Sequence, residues 1–196
     1  MVFNCLIKRE RQDAKDETCG RFYVLRLAFL YVMKLLFKAD GHPIYAVVEN
    51  VRSLFNVGAI FRSADGVNAS GIYLTGFTGC PPRKEISRVA LGAEEVIPWH
   101  YERDTGAVIN GLRDGGVQVV ALEQTPNSVD YRTFVYQWPS AVIFGHEVTG
   151  VRPETLDLCD GVVHIPMLGH KVSLNVSVAA GVMHYELLSQ FQNSNV

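Results

Sequence analysis

Cysteine is scarce in this 196-residue sequence: Cys5, Cys19, Cys80 and Cys159 are scattered, and no two stand at C-x-x-C spacing. That excludes a zinc ribbon or a dithiol redox motif by spacing, and four such residues make no disulfide framework for a chain this long. They read as reduced thiols of a cytoplasmic protein. A basic excess is missing too, with 18 Lys and Arg against 20 Asp and Glu. A protein that holds nucleic acid by bulk charge carries a cationic surplus, so that class is disfavoured. Local patches on a near-neutral chain stay compatible with a specific enzyme. No G-x-G-x-x-G follows the first strand and there is no P-loop, which removes the common dinucleotide and NTP-binding fingerprints. His100, His146, His164, His170 and His184 show no metal-ligand spacing, so no metal is expected. The longest apolar run, FYVLRLAFLYVMKLLF at residues 22–37, is interrupted by Arg26 and Lys34. It falls short of the roughly 20 residues a membrane span needs. No small-residue cleavage site follows it, so it reads as a soluble packing helix and not a signal peptide.

What is present is an ordinary globular balance, 48% hydrophobic and 19% charged, with enough apolar mass for a core. From residue 44 onward short apolar runs alternate with helical stretches. Residues 45–48, 71–74, 95–97, 117–122, 141–144 and 162–165 read as strands. Residues 56–67, 84–91, 105–114, 153–158 and 173–191 read as helices, with Gly115-Gly116 as a stop and Pro153 at a first turn. This alternation predicts an α/β fold with a parallel sheet flanked by helices. Residues 1–43 form an N-terminal extension in this reading, with Met33 as an alternative start, and residues 44–192 form the domain.

Three constellations carry possible chemistry. The first is NVGAIFRSADG, residues 56–66. Val57, Ile60, Phe61, Ala64 and Val67 share one helical face and should be core. Asn56 is an N-cap residue type, and Arg62 lies off the apolar face, either as a solvated surface arginine or as a ligand for a phosphate. The second is AVIFGHEVTGVRP, residues 141–153, where a buried strand ends at Gly145 and a loop carries Glu147 and Gly150. Ligands of open α/β sheets bind beyond such strand ends. Gly145 would let one approach the backbone, Glu147 is otherwise an exposed loop carboxylate, and His146 reads as filler. The third is IPMLGHKVSLNVSVAAGVMHYE, residues 165–186. Ser173 reads as the N-cap of a helix that is apolar all round and should be buried on every side, under the chain or a second subunit.

In this order and spacing, Asn56-x-Gly58-Ala59-x-x-Arg62, Phe144-Gly145-x-Glu147-x-x-Gly150 and Ile165-Pro166-Met167 with Ser173-Leu174-Asn175 resemble the three signature motifs of SpoU-type (TrmH-like) RNA methyltransferases of the SPOUT superfamily. The resemblance spans residues 44–185. It implies a trefoil knot near the C-terminus, a homodimer with the site at its interface, and S-adenosyl-L-methionine as methyl donor. Cofactor contacts would come from Leu122, Glu123, Gly145, Ile165, Met167 and Leu174. The substrate would be a ribose 2′-hydroxyl of tRNA or rRNA. Arg62 resembles the catalytic arginine, while Asn56, Glu147, Ser173 and Asn175 would organise the site. An arginine cannot readily serve as the base, so placing the ribose or a phosphate is the physically sounder role for Arg62. The competing reading is a non-catalytic RNA-binding or ribosome-assembly protein with the same fold.

Overall fold

The computed structural model describes residues 40–194. The expectations for residues 1–39, including the packing helix at 22–37 and the alternative start at Met33, lie outside the described residues. Seven parallel strands form one sheet in the order β3-β2-β1-β6-β4-β7-β5. They are β1 His42–Glu49, β2 Ala69–Thr75, β3 Trp99–Glu102, β4 Gln118–Leu122, β5 Val129–Asp130, β6 Ser140–Phe144 and β7 Gly161–His164. Among the described residues the helices are α1 Leu54–Gly66, α2 Lys84–Ala90, α3 Ala93–Val96, α4 Thr105–Asp114, α5 Pro153–Leu156 and α6 Val176–Ser194. The central strands are continuous apolar runs, as a sheet covered on both faces requires. In β6 every residue is buried, and β1 is buried from Ile44 to its end.

Helix α1 presents the predicted core face: Val57, Ile60, Phe61, Ala64 and Val67 are all buried. Its true N-cap is Ser53, whose Oγ accepts from the Asn56 backbone N–H at 3.4 Å. Asn56 therefore sits inside the first turn, and its side chain is released from capping. The 95–97 strand is not formed. Leu91 and Gly92 both take left-handed backbone angles and turn the chain into the single helical turn α3. The edge strand forms at β3 instead, where partial exposure hides the alternation that would have marked it.

The last helix begins at Val176, not Ser173. Asn175 caps it, with Oδ1 accepting from the Ser177 N–H at 2.9 Å and the Val178 N–H at 3.4 Å. Only one face of α6 is buried in the chain, through Ala180, Met183, His184 and Leu187. Val178 and Tyr185 are 53% and 56% exposed on the other side, so burial all round does not hold within one chain. The inner face packs on α1, β1 and β6. Each fully buried Met or Leu there stabilises the fold by about 1.5–3 kcal/mol.

Two predictions follow from this packing. A Cβ on Gly58 would lie 2.5 Å from the Ile86 carbonyl oxygen, because α1 and α2 meet backbone to backbone at that point. Gly58→Ala should cost about 1–3 kcal/mol in urea unfolding by forcing the helices apart. His184 is fully buried between Ser63 and the Phe144 ring. Burial pulls its imidazole down to about 4. Its folded value lies below the unfolded one, so stability is complete above about pH 6.5 and falls as acid approaches pH 4, by about 3 kcal/mol. His184→Gln should flatten that limb in urea midpoints measured against pH. Parallel curves for the two proteins would refute the assignment.

Candidate functional site

Adjacent parallel strands end on the same side of the sheet. Strands β1 and β6 pair in register from Ile44 with Ser140 to Val48 with Phe144, so the segments leaving them emerge side by side. That brings Glu147, just beyond β6, against the start of α1. The carboxylate accepts from the Arg52 N–H at 3.0 Å, the Ser53 N–H at 2.9 Å and Asn56 Nδ2 at 3.0 Å. Burial acts to raise its pKa, but the N–H groups of Ser53 and Arg52, with help from Asn56, outweigh that and leave it below the usual glutamate range. A carboxylate so engaged is a structural anion and a poor proton acceptor. Asn56 Oδ1 in turn accepts from Asn175 Nδ2 at 3.2 Å. Three stretches far apart in sequence meet through one chain of side chains.

A shallow, open cleft of about 180 Å³ lies beside this chain. Its walls are the ends of three neighbouring strands, β4, β6 and β7, and the loop leading into α6. Leu122, Glu123, Gly145, Ile165, Met167 and Leu174 all line it, and so do Glu147 and Ser173. The Glu123 carboxylate is committed to the chain: it accepts from the Val151 N–H at 2.8 Å and the Gln124 N–H at 3.0 Å. Gly145 is required by the protein itself, since a Cβ there would lie 2.3 Å from the Val151 nitrogen. The close approach expected of a ligand at Gly145 is made by residues 150–151.

A second cleft lies across the 146–148 segment from the first. Arg52, Ser53, Asn56, His146, Glu147 and Val148 line it. His146 is no filler. Its Nδ1 accepts from the N–H groups of Val148 and Thr149, both at 3.1 Å, and it walls both clefts. Sequence reasoning missed it because a loop histidine has no periodicity, although its place between Gly145 and Glu147 was a signal. Among the described residues no group of three His, Cys, Asp or Glu side chains is placed to hold a metal ion.

Residues 43–185 match the SpoU rRNA Methylase family. The chain belongs to that family. It is 34% identical over 149 residues to a tRNA (guanosine(18)-2′-O)-methyltransferase of Escherichia coli (strain K12), covering 76% of this chain and 64% of that one. It is 32% identical over 178 residues to the 23S rRNA (guanosine-2′-O-)-methyltransferase RlmB of Ralstonia nicotianae, covering 91% and 71%. The crystal structure of an AdoMet-bound rRNA methyltransferase from Sinorhizobium meliloti superposes with a TM-score of 0.69 at 36% identity, over 75% of this chain and 57% of that one. The chain thus spans less than two thirds of the first relative's length.

In this SpoU chain Asn56, Glu147 and Asn175 stand in contact, and Ser173 shares a cleft with Glu147. Arg62 stands apart. It is exposed, lines neither cleft, and makes no hydrogen bond or ion pair among the described residues. Six residues along a helix carry it about 9 Å up from Asn56 and round to a different side.

The Glu147 tie yields a prediction. Its stabilisation is present above the ordinary glutamate range and is lost as the pH falls through its own lower value. Glu147→Gln should cost about 1 kcal/mol after allowance for solvent screening. Hydrogen–deuterium exchange at pH 7 should speed up at the Arg52 and Ser53 amides; unchanged protection there would contradict the tie.

Proposed function

We propose that this chain methylates a ribose 2′-hydroxyl of tRNA or rRNA, with S-adenosyl-L-methionine as donor. The observation that carries the reading is the Glu147–Asn56–Asn175 chain at the edge of a cleft walled by Leu122, Gly145, Ile165 and Leu174. The relatives named above act on tRNA and on 23S rRNA as 2′-O-methyltransferases, and the Sinorhizobium meliloti protein is AdoMet-bound. The cleft fits the cofactor: Leu122, Ile165, Met167 and Leu174 give it an apolar wall beyond the strand ends, and Glu123, which also lines it, is already paired with backbone N–H groups. When bound, S-adenosyl-L-methionine supplies an electrophilic methyl group.

The rest falls to the protein. Asn56 and Asn175, locked to each other and to Glu147, hold fixed amide groups at the boundary between the two clefts. Ser173, exposed on the cleft wall, offers a hydroxyl to orient substrate or cofactor. Glu147 organises the site and does not take the proton. Arg62, permanently charged, holds the ribose or its phosphate and offsets the negative charge that develops on the attacking oxygen.

Arg62 reaches no cleft of its own chain, and α6 leaves Val178 and Tyr185 exposed beside α1. Both fit a homodimer whose active site is completed across the subunit boundary. The topology also fits a trefoil knot. Strand β7 lies beyond β4, whereas α6 packs on α1, β1 and β6, so residues 165–175 cross back over the ends of β4 and β6. A tRNA or rRNA substrate is in keeping with a protein that works in the cytoplasm.

Labelled S-adenosyl-L-methionine and total tRNA and rRNA from cells lacking this protein provide the test. The wild type should label one RNA. Arg62→Ala and Asn56→Ala should each lower the rate at least a hundredfold while calorimetry still shows cofactor binding. Full activity in Arg62→Ala would remove Arg62 from the mechanism. Absence of both label and cofactor binding would favour the non-catalytic RNA-binding or ribosome-assembly reading.

A further inference from the structure

The loop from β2 to α2 takes no part in the proposed methyl transfer. It runs along the same edge of the sheet as the two clefts and holds Phe77 at 61% exposure. Phe77 is nonetheless firmly placed. Its N–H donates to Asn50 Oδ1 at 3.2 Å, and Tyr101 Oη donates to the neighbouring Gly76 carbonyl at 2.7 Å. Its ring meets His146 edge to face, with centroids 5.9 Å apart and planes at 78°. His146 is itself locked by the Val148 and Thr149 N–H groups and walls the second cleft. The loop ends in two exposed cations, Arg83 and Lys84, and Arg52, also exposed, lines that cleft.

We propose that residues 76–84 and the second cleft bind a single-stranded RNA segment beside the reacting ribose. Phe77 stacks on an unpaired base, and Arg52, Arg83 and Lys84 take the flanking phosphates. The proposal rests on the RNA methyl-transfer reading and names how that RNA is held. An aromatic ring held rigid yet left in water is what base stacking uses, and it tolerates any base because every base has a π-face. Phosphate contacts fix register without reading sequence. Local cations must supply them here, since the whole chain carries a net charge of −2. Glu147 stays ionised among three neutral donors, so Arg52, Arg83 and Lys84 must outweigh its repulsion of a phosphate. A paired A-form helix hides its base faces, so the segment must be a loop, bulge or end.

The test compares the full chain, Phe77→Ala, Phe77→Trp and the double variant Arg83→Ala with Lys84→Ala. Total tRNA and rRNA serve as substrates in the methyl-transfer assay and as ligands in filter binding over a range of salt. Phe77→Ala should raise the KM for RNA about tenfold with cofactor affinity unchanged, and Phe77→Trp should restore it. The double variant should reduce the slope of log affinity against log salt by about 1.4, the value for two phosphates of a single strand. An unchanged KM in Phe77→Ala, with the wild type active, overturns the subsite and leaves methyl transfer standing. So does weakened self-association of Phe77→Ala in sedimentation with RNA binding intact, which would make the loop a subunit contact. A wild type that neither binds nor methylates any RNA ends the methyl-transfer reading, and the subsite with it.

Discussion

The carboxylate of Glu147 is the point at which separate parts of the chain become one site. It draws on two backbone N–H groups and one side-chain amide from the start of α1, all at 2.9–3.0 Å. Hydrogen bonds to an ionised acceptor are shorter and stronger than neutral ones, and three of them converge here. Without that anion the N–H groups of Arg52 and Ser53, at the entry to α1, would have only water to meet. The loop after β6 would lose its hold on the neighbouring strand end, and Asn56 would lose the partner that aims its Oδ1 at Asn175. The wall shared by the two clefts, residues 146–148, is held in place by the same interaction.

The sheet makes this economical. Parallel strands deliver every connecting loop to one edge, and the pairing of β1 with β6 sets two of those loops side by side without any long reach. The cleft then needs only the next strand ends, β4 and β7, which pair with each other and with β6. Buried polar groups secure the outer parts. Glu49, fully buried at the end of β1, accepts from Arg152 Nε at 3.0 Å and Thr155 Oγ1 at 2.7 Å, and so fastens α5 to the sheet. Glu123 does the same for residues 150–151.

Periodicity made much of this visible beforehand. The apolar face of α1, the β-branched run of β4 and the Gly115-Gly116 stop of α4 all follow from local rules, and the structure forms them at those places. Where the sequence misled, the deciding force was not local. Asn56 has the chemistry of a cap, but Ser53 three residues earlier takes that role, because Asn56 is claimed by a carboxylate 91 positions away. Ser173 loses the same role to Asn175, whose cap geometry depends on how the chain returns from β7. Strand β3 escaped notice because half-exposed edge residues carry no alternation. The second cleft was invisible because its walls, Arg52 and His146 among them, are loop residues joined only in space. Leu122, Gly145 and Met167 were placed by family resemblance, and they do line one cleft. No local signal in those residues would have grouped them.

Asn175 uses both ends of one amide. Its Oδ1 starts α6, and its Nδ2 reaches Asn56. Aspartate would start the helix as well but could not donate; serine would start it but falls short of Asn56; glutamine could donate but caps poorly. Two unrelated demands therefore leave a single acceptable side chain. Any replacement here costs either the start of the last helix or the tie to Asn56, even though the residue is exposed.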